Sequence, residues 1–356
     1  MSNETVPAWT GKISNPAQLG GIETSVLDNG VGRGTRIAWI NTGTGLRYKV
    51  VLDRAMDIAD AFYNRHSLAW LNHAGIKAPQ PFSNRGTDWL KTFGGGLLTT
   101  CGLTHVGGPE TDAYGERGLH GEVSNIPAEI ESVIQPDPAA GKMNMSITGI
   151  IKQTTIFGPS LELRRTLSGT IGEASIRIHD EVTNRGNSPA PHMILYHCNF
   201  GWPLVDEGTD ICWRGNWKPR FADGSHKIFR EGHDFRKCPP PLESHAGNGE
   251  EVGLIDATPD PSGLCTCGLY NSRIGIAIAL RYPKKQLPWL INWQHWGKGE
   301  YVTGLEPSTN PLIGQAKARE QNELIQLAPG ETRTYDLEIE VLDQREKIDA
   351  FLKEVT

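Results

Sequence analysis

Three short segments carry residue types suited to moving protons on a polar ligand. In Gly118-Leu119-His120-Gly121-Glu122, two glycines free the backbone around an imidazole, so that a ligand can approach it closely. Taken alone, the segment reads more readily as a turn histidine with a satisfied hydrogen bond. In Leu195-Tyr196-His197-Cys198-Asn199-Phe200, strand alternation sends Tyr196, Cys198 and Phe200 to one face and His197 and Asn199 to the other. The imidazole then suits a proton donor with an orienting amide beside it, and the competing reading is a wet outer face. The third segment runs from Tyr301 to Asn310 and puts one carboxylate, Glu306, where an apolar strand meets a proline turn. Partial burial there would raise its pKa toward that of a general base, although a surface glutamate before a turn is the commoner case.

Other segments offer binding groups. Trp289, Trp293, His295 and Trp296 crowd the stretch before Glu306, and Trp202, Trp213 and Trp217 follow His197 closely. Tryptophans stack on flat apolar faces such as those of sugar rings, and they also fill β-sandwich cores. Arg54 and Asp57, in Leu52-Asp53-Arg54-Ala55-Met56-Asp57-Ile58, suit either hydroxyl binding or a structural ion pair. The Gly94-Gly95-Gly96 run lacks the ending of a phosphate loop and reads as tight sheet packing or a cleft wall. Cys265 and Cys267 are separated by one residue, which matches neither a redox pair nor a zinc knuckle. The six cysteines are expected to be reduced, with no metal among them.

The elements that must position these groups are strands. From Arg36 onward, TRIAWI, LRYKVVL, IADAF and LAWL alternate with turn residues, and the pattern returns in MNMSITGII, LELRRTLS, ASIRIHDEVT, HMILYHCNFG, GIAIALRY and TYDLEIEVL. No strand–helix–strand rhythm appears, so the expected fold is all-β, a large antiparallel β-sandwich of two packed sheets. One amphipathic helix is expected at the carboxyl end, in QREKIDAFLKEV, with Ile348, Phe351, Leu352 and Val355 on one face. Residues 1–356 are read as a single domain with its core at about 35–342 and a long polar, proline-interrupted surface excursion at about 221–261.

Composition narrows the function classes. A net charge of −6 from 35 basic and 41 acidic residues, with no basic stripe, argues against a nucleic-acid partner. No stretch approaches the ~20 apolar residues of a membrane span, and the first residues show no basic-then-apolar leader, so the expectation is a cytoplasmic protein with no membrane partner. A homodimer is left open.

The three segments, in this order on an all-β chain of this length, resemble the galactose mutarotase-like superfamily, the aldose 1-epimerase fold. LDRAMDI, FGGGLLTTCGL, GLHGEVSNIPAE and EPSTNP resemble a bacterial branch of epimerase-like proteins of unknown function, over roughly residues 35 to 340. The resemblance implies that His120 binds the sugar, His197 is the general acid and Glu306 the general base of a mutarotase that needs no cofactor. Arg54, Asp57, Asn199, Trp293 and Arg85, the last in a weak counterpart of the family's NR segment, become expected substrate contacts. Cys198 stands where studied mutarotases usually have proline, and Pro307-Ser308-Thr309 replaces a longer motif. Two rivals use the same pocket. One is an isomerase acting next to a carbonyl, with a metal on His120, His192, His197 and Glu306. The other is a carbohydrate-binding or sensing protein without turnover.

Overall fold

A computed structural model describes residues 8–81, 84–221, 223–247 and 249–355. Residues 1–7, the start of the stretch read for a leader, lie outside the described residues.

The strands form two large antiparallel sheets, a five-stranded antiparallel sheet made by residues 21–67, and a two-stranded ribbon of Glu110–Asp112 and Gly115–Arg117. The eight-stranded sheet runs from Asp210–Trp213 at one edge to Glu129–Ile134 at the other. The other large sheet positions the site. Across it lie Gly215–Pro219, Glu251–Ala257, Trp289–Gly297, Glu300–Ser308, Ala190–Phe200 and Ile325–Leu327, and Thr99–Leu103 also pairs with Ala190–Phe200.

Alternation sorts this sheet's two faces. Ile194, Tyr196, Cys198 and Phe200 enter the main core with Leu163, Ile178, Leu280 and Leu337 of the eight-stranded sheet. Met193 and Leu195 point the other way, into a second cluster with Cys101, Ile291, Trp89 and Phe93. The expected carboxyl-terminal helix spans Arg345–Val355 and buries Ile348, Phe351 and Val355 against the eight-stranded sheet, where Ala277 and Ala279 leave room for it. The expected excursion is shorter than read from sequence. Glu251–Ala257 is a strand, and its apolar run pairs with both Gly215–Pro219 and Trp289–Gly297. Phe229 lies against Gly253 in this strand, so the excursion folds back over the sheet it leaves.

A buried charge cluster joins the layers. The Arg165 guanidinium donates to Asp180 from Nε (2.9 Å) and Nη2 (2.7 Å), and from Nη1 to Asp57 (3.1 Å) and the Ala55 carbonyl (3.0 Å). The Tyr196 hydroxyl donates to Asp180 (2.7 Å), and Asp57 accepts from the backbone N–H (3.0 Å) and hydroxyl (2.6 Å) of Thr100. Burial favours neutral Asp57 and raises its pKa, with Arg165 opposing that shift. Removing Arg165 takes the ion-pair partner from two buried carboxyls and leaves only Arg54 acting on Asp57. Arg165→Met is therefore expected to lower the unfolding free energy by about 3–5 kcal/mol in urea titrations. Arg177→Met, at an exposed ion pair, is expected to cost about 1 kcal/mol or less.

Candidate active site

Sheet register brings two of the singled-out residues side by side. Leu195 pairs with Ser308 and Cys198 with Leu305, which sets His197 opposite Glu306 on adjacent strands. Both are on the face turned away from the main core. His197 Nε2 lies 3.3 Å from Glu306 Oε1, and the residues are 6% and 2% exposed. Neither Glu306 Oε1 nor His197 Nδ1 has a hydrogen-bond partner among the described residues. Buried polar atoms are ordinarily paired, so these two carry unused hydrogen-bonding capacity beside the cleft. Gly304 makes the room: a Cβ there would collide with the Glu306 carboxylate.

His120 enters from a loop. It adopts a left-handed φ of 57°, and Gly121 follows at 73°. Its N–H donates to the Gly107 carbonyl (3.0 Å), while its own carbonyl accepts from Gly102 N–H (3.0 Å), tying the loop to the sheet. The imidazole stands edge-on to Trp89 at 4.9 Å and to His197 at 6.1 Å, and its Nδ1 is buried without a partner among the described residues.

These three residues line a cleft of about 620 Å³, within the range of about 300–1,000 Å³ usual for small-molecule sites. Its walls are aromatic. Phe93 and Trp293 approach the His197 ring at 5.2 and 5.4 Å, Trp89 stacks on Phe93 at 4.2 Å, and Trp70 meets Trp293 at 6.0 Å. Polar groups at the cleft include Lys77, Arg220, Glu250, His295 and Glu300. Trp293 Nε1 donates to Glu250 (2.8 Å), and Glu300 lies 3.5 Å from His295.

Burial sets the protonation of the pair. It pushes Glu306 well above the usual carboxylate range; Glu250 adds to the shift and Arg220 opposes it. Burial also lowers His197 to about 4, with the Asn199 side chain acting in the other direction, and it holds His120 well below the ordinary histidine value. Burial thus favours the neutral forms of both groups, the Glu306 carboxyl and the His197 imidazole. Such a pair can give a proton to one ligand oxygen and take one from another.

The remaining expected contacts fall elsewhere. Asn199 sits behind His197, donating from Nδ2 to the carbonyls of His197 (2.9 Å) and Gly96 (3.0 Å), so it orients the strand and does not line the cleft. Arg54 donates to the carbonyls of Ser124, Thr92 (3.1 Å) and Lys77 (3.3 Å), and Asp57 belongs to the Arg165 cluster. Both border a separate space of about 40 Å³, which corrects the expectation that they hold substrate. Arg54 instead ties down the segment carrying Lys77, Trp89 and Phe93. Arg85 is exposed and does not line the cleft. His192 has the opposite parity to His197 and points into the core, hydrogen-bonded to the Leu103 carbonyl (2.9 Å) and the Tyr335 hydroxyl (2.7 Å). The metal set that included His192 therefore does not assemble. Among the described residues, no group of three or more His, Cys, Asp or Glu side chains is arranged to hold a metal.

Sequence reading passed over Trp70, Trp89, Phe93, Arg220 and Glu250. Trp89 and Phe93 stand four apart on the short helix Trp89–Thr92 and its cap, a spacing that puts both on one side and that the sequence did offer as a signal. Of the flagged tryptophans, Trp213 and Trp296 are core residues, Trp217 packs on Phe229 and Phe235, Trp289 lies under Lys218 and Trp202 is 69% exposed, which leaves Trp293 at the cleft.

A family model described as a domain of unknown function, DUF4432, matches residues 32–341. The chain belongs to the DUF4432 family. This DUF4432 chain superposes on a Klebsiella pneumoniae protein described provisionally as an aldose 1-epimerase, with TM-score 0.84 and 24% identity, over 96% of this chain and 90% of that one. It also matches a galactose mutarotase-like protein from Clostridium acetobutylicum (TM-score 0.61, 12% identity, 91% and 98% covered). A third match is galactose 1-epimerase from Lactobacillus acidophilus (TM-score 0.60, 11% identity, 91% and 99% covered). At these identities the likeness establishes the galactose mutarotase-like fold. No curated protein sequence matches the chain. No helix among the described residues is long and apolar enough to cross a membrane.

Histidine-selective ¹⁵N NMR of the ligand-free protein, with His197→Asn used for assignment, is expected to show a neutral His197 imidazole at pH 6 that takes a proton only near pH 4. Titration near 6.5 would contradict the buried neutral pair.

Proposed function

We propose that this DUF4432 protein is a mutarotase that interconverts the anomers of a sugar bound in the aromatic cleft. The observation that carries the reading is the contact between His197 and Glu306, 3.3 Å apart at the cleft floor. An anomeric carbon bears two oxygens, the hydroxyl and the ring oxygen. Two proton-transfer groups in direct contact suit two oxygens on one carbon.

Sugar hydroxyls entering the cleft supply hydrogen bonds that the empty pair lacks. They stabilise the charged form, in which Glu306 is a carboxylate and His197 an imidazolium. Glu306 takes the proton of the anomeric hydroxyl while His197 protonates the ring oxygen, and the ring opens to the aldehyde. Rotation about the C1–C2 bond presents the other carbonyl face, and the same transfers in reverse close the ring. Each step conserves the pair's proton. His120 holds a substrate hydroxyl, and Trp293, Trp89 and Phe93 supply apolar faces to the ring.

Exchange NMR between the anomers of a panel of aldoses and sugar acids tests this reading. Native protein is expected to accelerate exchange, and Glu306→Gln and His197→Asn are each expected to lower kcat by about 10²- to 10⁴-fold. Acceleration that survives both substitutions would rule the pair out. Tight sugar binding with no acceleration would favour a sensor.

A further inference from the structure

A second, smaller cavity of about 230 Å³ opens beside the cleft. The two spaces share the wall made by Arg220, Glu250 and Val252. The smaller one is walled by the excursion and is rich in cationic and imidazole groups, with Arg220, His226, Lys227 and His245 facing Glu250 and Glu251.

The two carboxylates there are already engaged. Glu251 accepts the backbone N–H groups of Lys227 (2.6 Å), Ile228 (2.6 Å) and Phe229 (3.0 Å). Glu250 accepts from Trp293 Nε1 (2.8 Å). Arg220 is differently placed. Its nearest carboxylate oxygen is on Glu250 at 3.7 Å, beyond hydrogen-bond length, and its guanidinium donates no hydrogen bond among the described residues. It rests over the Phe221 ring at 5.0 Å, with its side chain only 25% exposed. The Lys227 ammonium likewise meets no carboxylate among the described residues, and the Lys77 ammonium across the main cleft donates only to the Lys91 carbonyl (2.6 Å). A half-buried guanidinium that donates no hydrogen bond among the described residues, set in the wall shared by two cavities, is suited to a planar or tetrahedral anion. Arg220 is also near enough to Glu306 and His120 to act on both electrostatically.

We infer that the sugar carries an anionic substituent, a carboxylate or a phosphate, and that Arg220 receives it where the cleft meets the side cavity, with Lys227 as the second cation. The inference rests on the mutarotase reading for the sugar itself and adds the class of sugar.

The test compares glucose, glucuronate and glucose 6-phosphate, and galactose with galacturonate, by exchange NMR on native protein, Arg220→Gln and Arg220→Lys. At least one anionic class is expected to exceed its neutral parent in kcat/KM by about tenfold or more, the worth of one charge-assisted contact. That preference ratio should collapse toward one in Arg220→Gln and recover in part in Arg220→Lys. Uronate against 6-phosphate identifies the anion. Calorimetric binding of the same sugars to Glu306→Gln protein, with and without Arg220→Gln, reads the preference without turnover, so absence of exchange would sink the mutarotase reading while this arm still decides the anion. Neutral sugars that bind as well as both anionic classes, or an Arg220→Gln loss shared equally by neutral and anionic sugars, would overturn the inference.

Discussion

Arg165 is the charge on which the layered arrangement turns. Its guanidinium lies between the sheets with no exposed side-chain surface, and it draws Asp180, Asp57 and, through Asp180, Tyr196 to one point. A buried ion cluster is weak evidence for stability in itself, because desolvation offsets much of the attraction. Here its consequence is positional. Tyr196 precedes His197, and Thr100, which donates to Asp57, pairs with Tyr196 across the ladder. Strand Ala190–Phe200 is therefore fixed both along its length and relative to the neighbouring strand Thr99–Leu103. A one-residue slip would turn His197 into the core and Tyr196 into the cleft.

Parity then explains the site. Odd-numbered residues of Ala190–Phe200 and even-numbered residues near the end of Glu300–Ser308 share the cleft face, so the imidazole and the carboxylate are cross-strand neighbours. The same face carries Ile291, Trp293 and His295 from the next strand. Rigid strands set these groups, while the loop bearing His120 and the excursion bearing Arg220 and Glu250 close over them. Chemistry sits on the scaffold and recognition on the loops.

Much of this was legible in sequence because it is periodic. Alternating strands, punctuating glycines and the amphipathic carboxyl-terminal stretch are local patterns, and they led to the sandwich and the final helix. His120, His197 and Glu306 stood out because each lies in a short distinctive setting, and all three meet in one cleft. Arg54 and Asp57 were misplaced because a charged pair in sequence does not reveal its partners: Arg165, more than a hundred residues away, takes Asp57, and backbone carbonyls take Arg54. Arg85 followed a weak motif match. Trp70 and Arg220 reach the cleft through paths that no period encodes, Trp89 and Phe93 lie on a helix of one turn and its cap whose signal is only their four-residue spacing, and strand Glu251–Ala257 was masked by the prolines before it.

The account holds that Glu306 and His197 work as one proton-sharing unit, so their effects on rate should not multiply. The measurement that tests this most directly is anomer exchange by Glu306→Gln, His197→Asn and the double variant under the same conditions. The account predicts that the double variant is no slower than the slower single variant by more than a few-fold. A loss near the product of the two single losses would contradict it.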